Sequence, residues 1–364
     1  MRRFLPLLLI LAFLAACPAP PVSEPFAREQ GCNYPLTAQM YSGYTAPTSA
    51  TLADLAAHDL VVLNLDAPPV AREALQRAGV TVLAYIPAGY WWSQPRGSRA
   101  HRNAVLALLD EEDYLHDAAG GRVEPWPGQP LLNHADPRVA AKVLEYLTVE
   151  VLGDGWNGVH WDVMDATLGY VGGNVDLDRN GINDRSEHDL AWIDSQWRKG
   201  LTMYATVPGL TQGNAAWGLA DGGVSPWAGV LSGALVEDGP ATKYRDAATG
   251  RWLPAGPEAM SWHIGQALRW RGEVYAFGDD MLADAYFGRY VHSLVQARRV
   301  ALAMATLTDS YLQMINPASA EWCDECGVEN GATARSAAAG DWLGCPLGPL
   351  TARGQVLTRE FAGG

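Results

Sequence analysis

From residue 38 onward, short apolar or β-branched runs alternate with longer segments in which apolar residues recur every three or four positions. Eight of the short runs read as strands. They are "QMYSGYT" (39 to 45), "LVVLNLD" (60 to 66), "VTVLAYIP" (80 to 87), "GVHWDVM" (158 to 164), "LTMYATVP" (201 to 208), "VLSGALVED" (230 to 238), "EVYAFGD" (273 to 279) and "ATLTDSYLQ" (305 to 313). The segments between them carry helix punctuation. In "PPVAREALQRAG", Pro69 is suited to open a helix and Gly79 to close it. In "ADPRVAAKVLEYLTVEVLG", Asp136 stands at the N-cap, Pro137 in the first turn, and Val139, Val143, Leu144 and Leu147 share one face. Strand and helix alternating eight times predict a parallel (β/α)8 TIM barrel over residues 38–315. A doubly wound open sheet is the alternative, but normally needs fewer strands.

The ends of the chain read differently. "MRRFLPLLLILAFLAAC" opens with two arginines, continues with an apolar run too short to span a bilayer comfortably, and ends in small residues before Cys17. Residues 1–16 therefore predict an export signal. Leu14-Ala15-Ala16-Cys17 resembles a bacterial lipobox, which implies cleavage before Cys17 and a lipid on its thiol; an ordinary secretory signal is the alternative. Residues 17–37, including "PAPPVSEPFAREQ", are proline-rich and polar and suit an extended tether. The expected location is the bacterial cell envelope, with membrane contact through the lipid anchor alone. Residues 316–364 form a C-terminal extension that is expected to pack on the barrel.

Composition narrows the partners. With 48% hydrophobic and 18% charged residues among 364, the chain can bury a large core, and disorder is excluded. A net charge of -14 argues against nucleic acid or an anionic surface as partner. Four cysteines besides Cys17, namely Cys32, Cys323, Cys326 and Cys345, read as two disulfides in an exported protein, with pairing open. Cys323 and Cys326 also have the spacing of half a zinc site, but no second pair or nearby histidine completes it.

Barrel enzymes carry their chemistry where strands run into the following loops. Asp66, Asp162, Glu237, Asp238 and Asp279 fall at such ends, and Asp309 lies within the eighth run. Strand alternation puts Asp162 on one face with His160 and Gly158, and Glu237 with Leu235 and Gly233, leaving Val159, Trp161, Ala234 and Val236 for the helical side. Two carboxyl groups projecting into one cleft can divide acid and base work, as glycosidic hydrolysis requires. Asp162 and Glu237 are the candidate pair. Fourteen tryptophans and fourteen tyrosines supply faces on which a sugar can stack, Tyr90, Trp91 and Trp92 foremost. Asp66, Tyr85, His160, Asp165, Asn214 and Asp238 complete the candidate substrate contacts, and His134 is a further lone histidine with an equal claim to a core role.

The most specific local pattern is "DLDRNGINDRSE" (176 to 187). Asp176, Asp178, Asn180, the carbonyl of Ile182, Asp184 and Glu187 occupy positions 1, 3, 5, 7, 9 and 12, with Gly181 at 6, the spacing of an EF-hand calcium loop. Alternate residues aim oxygens inward and the glycine permits the sharp turn. No helix is evident before it, so the pattern predicts a structural Ca2+ loop inserted after strand four; a solvated acidic loop is the alternative.

"GWNGVHWDVMD" resembles the fourth-strand signature of hypothetical glycoside hydrolases related to the polygalactosaminidase-like barrels. "VTVLAYIPAGYWW" is similar to their third strand, and "LLNHADPRVAAKVLEYL" to the segment entering the fourth. The resemblance spans about residues 38–315. It implies a catalytic aspartate at Asp162, a glutamate partner at Glu237, and hydrolysis within a polysaccharide such as an amino-sugar polymer. Two departures stand out: "YIPAGYWW" lacks the glutamate that often follows the third-strand glycine, and the acidic loop is an insertion. The expected function is an extracellular or envelope glycoside hydrolase, with a carbohydrate-binding lipoprotein on a degenerate barrel as the rival.

Overall fold

Eight parallel strands close on themselves in chain order. They are β1 (Thr37–Tyr41), β2 (Leu60–Asn64), β3 (Thr81–Pro87), β4 (Gly158–Asp162), β5 (Leu210–Asn214), β6 (Gly233–Val236), β7 (Ala276–Gly278) and β8 (Tyr311–Met314). Closure is made by β8 against β1, with Thr37 opposite Leu312. The computed structural model describes residues 36–41, 47–215 except 96, 98 and 170, 225–236, 244–245, 252–253, 263–268, 276–278, 303–314, 347–348, 350–353 and 356–362. Among these, no helix is long and apolar enough to cross a membrane.

Strands β2, β3, β4 and β6 are buried on both faces because two cores lie against them. Inside the barrel, Met40, Leu60, Val62, Leu83, Tyr85, Leu235 and Tyr311 pack together. Outside, Ala84, Ile86, Val159, Trp161, Ala234 and Val236 meet the helical layer. The faces alternate along each strand, as a pleated backbone requires. Parity therefore assigns Asp162, with His160, to the interior side.

The described helices start and stop where their local chemistry allows. Helix α1 (Ser49–Leu55) is capped by Thr48, whose hydroxyl accepts the Thr51 amide. Helix α2 (Pro69–Arg77) begins on a proline and runs out at Gly79, where φ is +86°. Between β3 and β4 lie α3 (Ala100–Leu108) and α4 (Pro137–Tyr146), and in α4 the Asp136 carboxylate accepts the Arg138 amide. Its buried face is Val139, Ala140, Val143 and Leu144. After β4 come the one-turn α5 (Asp184–Glu187) and then α6 (Leu190–Leu201), capped by Asp189.

Two strand assignments made from sequence move. "LTMYATVP" is not the fifth strand: Leu201 ends α6 and Thr202–Thr206 is a 3-10 turn. Its buried residues, Leu201, Tyr204 and Val207, recur every third position, which is helical rather than alternating. The strand is the following "LTQGN", started by Gly209 at φ +89°. The eighth run likewise opens in a helical stretch, 303–307, before β8 begins at Tyr311.

Asp309 consequently precedes its strand and stands away from the end where chemistry was expected. It has a positive φ of 56° and pairs with Arg359, whose guanidinium donates to both carboxylate oxygens at 2.7 and 2.9 Å. Arg359 also donates to the carbonyl of Thr306 at 3.1 Å, fastening the residues after the hairpin Thr351–Arg353 and Val356–Thr358 to the barrel. All five cysteines, as well as Glu237, Asp238 and Asp279, lie outside the described residues.

Candidate active site

Asp162 is the last residue of β4, and three consecutive strands converge on its carboxylate. The Tyr85 hydroxyl, from β3, donates to Oδ2. Tyr90, in the loop after β3, reaches the same oxygen at 3.5 Å. Asn214, the last residue of β5, donates its amide to Oδ1 at 3.0 Å, and the Val163 backbone N–H adds a 2.9 Å bond to that oxygen. The carboxylate accepts in all four contacts. Asp162 is only 5% exposed, so this orientation is held inside the protein and not by water.

The backbone around Asp162 is drawn tight. Ala88 donates to the Asp162 carbonyl at 2.8 Å and Met164 to the Asn214 carbonyl at 2.8 Å, which carries the β3–β4–β5 pairing past the strand ends. Between these bonds Val163 is forced to φ +52°, a conformation that its branched side chain disfavours. Gly89 lies directly over it: a Cβ there would sit 2.7 Å from the Val163 carbonyl oxygen and Cγ1. A strained residue next to a buried carboxylate held from three strands is a common mark of a functional site.

Below Asp162, His160 is fully buried in the barrel interior. Its ring stacks on Tyr85 with centroids 5.9 Å apart, and Nδ1 lies 2.7 Å from the Gln212 amide oxygen. Burial lowers its pKa, against the opposing pull of Gln212 and Asp162. The ring therefore buttresses the Tyr85 side chain. His134 is also a core residue: its Nε2 lies 2.8 Å from the Ala88 carbonyl, and burial takes its pKa down to about 4.

The other sequence candidates divide. Trp91 and Trp92 are buried packing residues: Trp91 donates to the Arg102 carbonyl at 3.2 Å, and the Arg102 guanidinium lies 3.2 Å from the centre of the Trp92 ring. Their apolar surface is consumed in the fold, which corrects the expectation that they face a sugar. Asp66 lies two residues beyond β2 and accepts the His101 amide at 2.8 Å, tying down the start of α3. Asp165 is buried, and its carbonyl accepts the Trp197 indole at 2.9 Å. Gln212 and Val163 were not anticipated. Gln212 shares a face with Asn214 in "LTQGN", a signal that is visible only once β5 is placed there.

The acidic loop after β4 folds around its own side chains. Asp176 accepts the amides of Asn180 and Gly181 at 3.0 and 2.9 Å, and Asn180 Oδ1 accepts the amide of Ile182 at 2.7 Å. The Asn180 amide nitrogen donates to Glu187 at 2.8 Å. Asp184, fully buried, accepts the Leu177 amide on Oδ2 at 2.6 Å, while its Oδ1 is buried with no hydrogen-bond partner. Burial raises the Asp184 pKa; the Leu177 amide pulls the other way, and the nearby Asp178 and Asp176 push it further up.

No protein-family model matches the chain, and no curated protein is similar to it in sequence. Solved structures do share similarity. The glycoside hydrolase domain of PelA from Pseudomonas aeruginosa is 19% identical, with 80% of this chain and 97% of that one covered and a TM-score of 0.46. The GH31 dextranase of Flavobacterium johnsoniae, complexed with glucose, is 14% identical over 85% of this chain and 39% of its own, with a TM-score of 0.46. The cycloalternan-forming enzyme of Listeria monocytogenes is 11% identical over 84% and 30%, also at 0.46. The chain thus spans less than half the length of the last two. All three neighbours are glycoside hydrolases or enzymes that act on oligosaccharides by their names.

Proposed function

We propose that the protein is a glycoside hydrolase in which Asp162 is the nucleophile or general base. The observation that carries this reading is the hold on its carboxylate by Tyr85, Tyr90, Asn214 and the Val163 amide at the C-terminal end of a barrel strand. A carboxylate has about four lone-pair positions. Oδ1 has two close donors, whereas Oδ2 has one close donor and the long contact from Tyr90. The position toward Tyr90 is therefore the one a sugar carbon or a water takes when Tyr90 yields. Glu237, directly after β6 in sequence, is the proposed general acid, and Asp238 and Asp165 its tuning neighbours.

The substrate is an extracellular or envelope polysaccharide, an amino-sugar polymer of the polygalactosaminidase-like kind being the first to try. The chain is exported, lipidated at Cys17 and tethered to the envelope, with Cys32, Cys323, Cys326 and Cys345 paired in disulfides. A negative net charge supports a neutral or cationic glycan over an anionic one.

Glu237→Gln separates hydrolysis from binding alone. On a glycan that the wild type cleaves, the variant is expected to lose turnover while still being retained on an affinity gel of the same glycan. Retention by both proteins with no cleavage by either would replace the enzyme with a binding protein.

A further inference from the structure

The loop between β4 and α6 contains a feature that hydrolysis does not use. Asp184 is fully buried, yet one of its carboxylate oxygens has no hydrogen-bond partner. A buried acceptor without a donor is costly, and an ordered water or a bound cation can meet it. One oxygen of Asp184, one of Asp178 and a ring nitrogen of His188 lie within 4.8 Å of one another, so the unmatched group belongs to a converging set.

From these observations we propose that residues 176–187 bind a calcium ion through Asp176, Asp178, Asn180, the Ile182 carbonyl, Asp184 and Glu187. Two things select calcium. The six proposed ligands are all oxygen, without the His188 nitrogen, and oxygen-only sites of this spacing take hard cations. The loop also has the turn that spacing needs, Gly181 at φ +81° in sixth place, and the Asn180 side-chain N–H donates to Glu187 at 2.8 Å; Asp176 and Glu187 would close toward Asp178 and Asp184 on the ion, Glu187 clamping it with two oxygens. His188 is the competing donor. It stacks on Trp192 with ring centroids 3.6 Å apart, and a site built on its nitrogen would favour zinc instead.

The site has a mechanical consequence. Asp176 donates its amide to the His116 carbonyl at 2.9 Å, and the Leu177 carbonyl accepts the Asn133 side chain at 3.0 Å. Leu132, next to Asn133, donates to the Gly89 carbonyl at 3.0 Å, and Gly89 packs on Val163 beside Asp162. An ion in the loop would stiffen a wall shared by the β3 and β4 loops. This holds whether or not the protein is a glycosidase.

The test uses the full-length protein, stripped of metal, and does not depend on activity. Terbium, a calcium mimic, is expected to bind at one site with emission sensitised by the nearby Trp192. Calcium should displace it with an affinity on the order of 10⁻⁴ M, the range of extracellular modules. About 10 mM calcium should raise Tm by several degrees, through stabilisation of the bound form. Asp184→Asn and Asp178→Ala should each lose the terbium signal and the calcium shift; Asp178 is half-exposed, so its replacement leaves the metal-free fold intact. Absence of terbium binding in the wild type would overturn the proposal. So would a Tm shift produced by zinc and not by calcium and abolished by His188→Ala.

Discussion

Asp162 gains its distinction from its neighbours. Many carboxylates stand near the ends of strands, but here a tyrosine hydroxyl, an asparagine amide and a backbone N–H fix both oxygens of one of them. In the proposed enzyme Tyr85 positions Asp162, with its own ring held against His160. Tyr85→Phe removes a single hydroxyl from an otherwise packed site. We expect kcat to fall about 10²-fold with KM changed less than threefold or so, the signature of an interaction that matters most in the transition state. A rise in KM with kcat preserved would place Tyr85 in substrate binding instead. Val163 stores strain beside it, on the order of 1 to 3 kcal/mol for a non-glycine residue at such a φ.

Strands β4 and β5 come together at Gly158 of β4 and Gly209, just before β5. A Cβ on Gly158 would lie 2.0 Å from the Leu210 carbonyl oxygen, so no side chain fits without moving β5. Gly158→Ala is therefore expected to lower Tm by more than 10 °C or so, or to leave the protein insoluble, because an overpacked core costs several kcal/mol. A near-wild-type melt would mean that the two strands lie farther apart than this structure has them. The parity of β4 and β6 and the caps of α2 and α4 were legible in the sequence, since alternation, proline and glycine are local signals. Strand β5 was not. "LTMYATVP" has the β-branched and aromatic content of a strand, whereas "LTQGN" has three polar residues and a glycine, because Gln212 and Asn214 on its inward side serve His160 and Asp162 rather than a hydrophobic layer. The same inversion misled the reading of Trp91 and Trp92: composition shows that aromatic surface exists but not which core consumes it.

At the scale of the whole molecule, three buried histidines make stability depend on pH. His134 and His263 are taken down to about 4 from an ordinary 6.5, and His160 is also lowered, each chiefly by burial. In that window the unfolded chain binds protons that the folded one refuses, so stability is full above about pH 6.5 and is lost as pH falls toward about 4. Each of the first two accounts for roughly 3 kcal/mol across the window. His134→Gln keeps an N–H donor near the Ala88 carbonyl but does not titrate. Chemical denaturation of this variant between about pH 7 and pH 4 should show a shallower loss of stability than the wild type; parallel curves would contradict the assignment.

The proposed part of Asp162 in cleaving a glycosidic bond rests on the barrel, the strained turn after β4 and the hold on its carboxylate. It is tested most directly by reducing-end release from a panel of bacterial exopolysaccharides, amino-sugar polymers included, with wild type and Asp162→Asn run side by side and their melting temperatures recorded. Release is expected from the wild type, with a loss of about 10³-fold or more in the variant while it remains folded. Equal release by both proteins would contradict it.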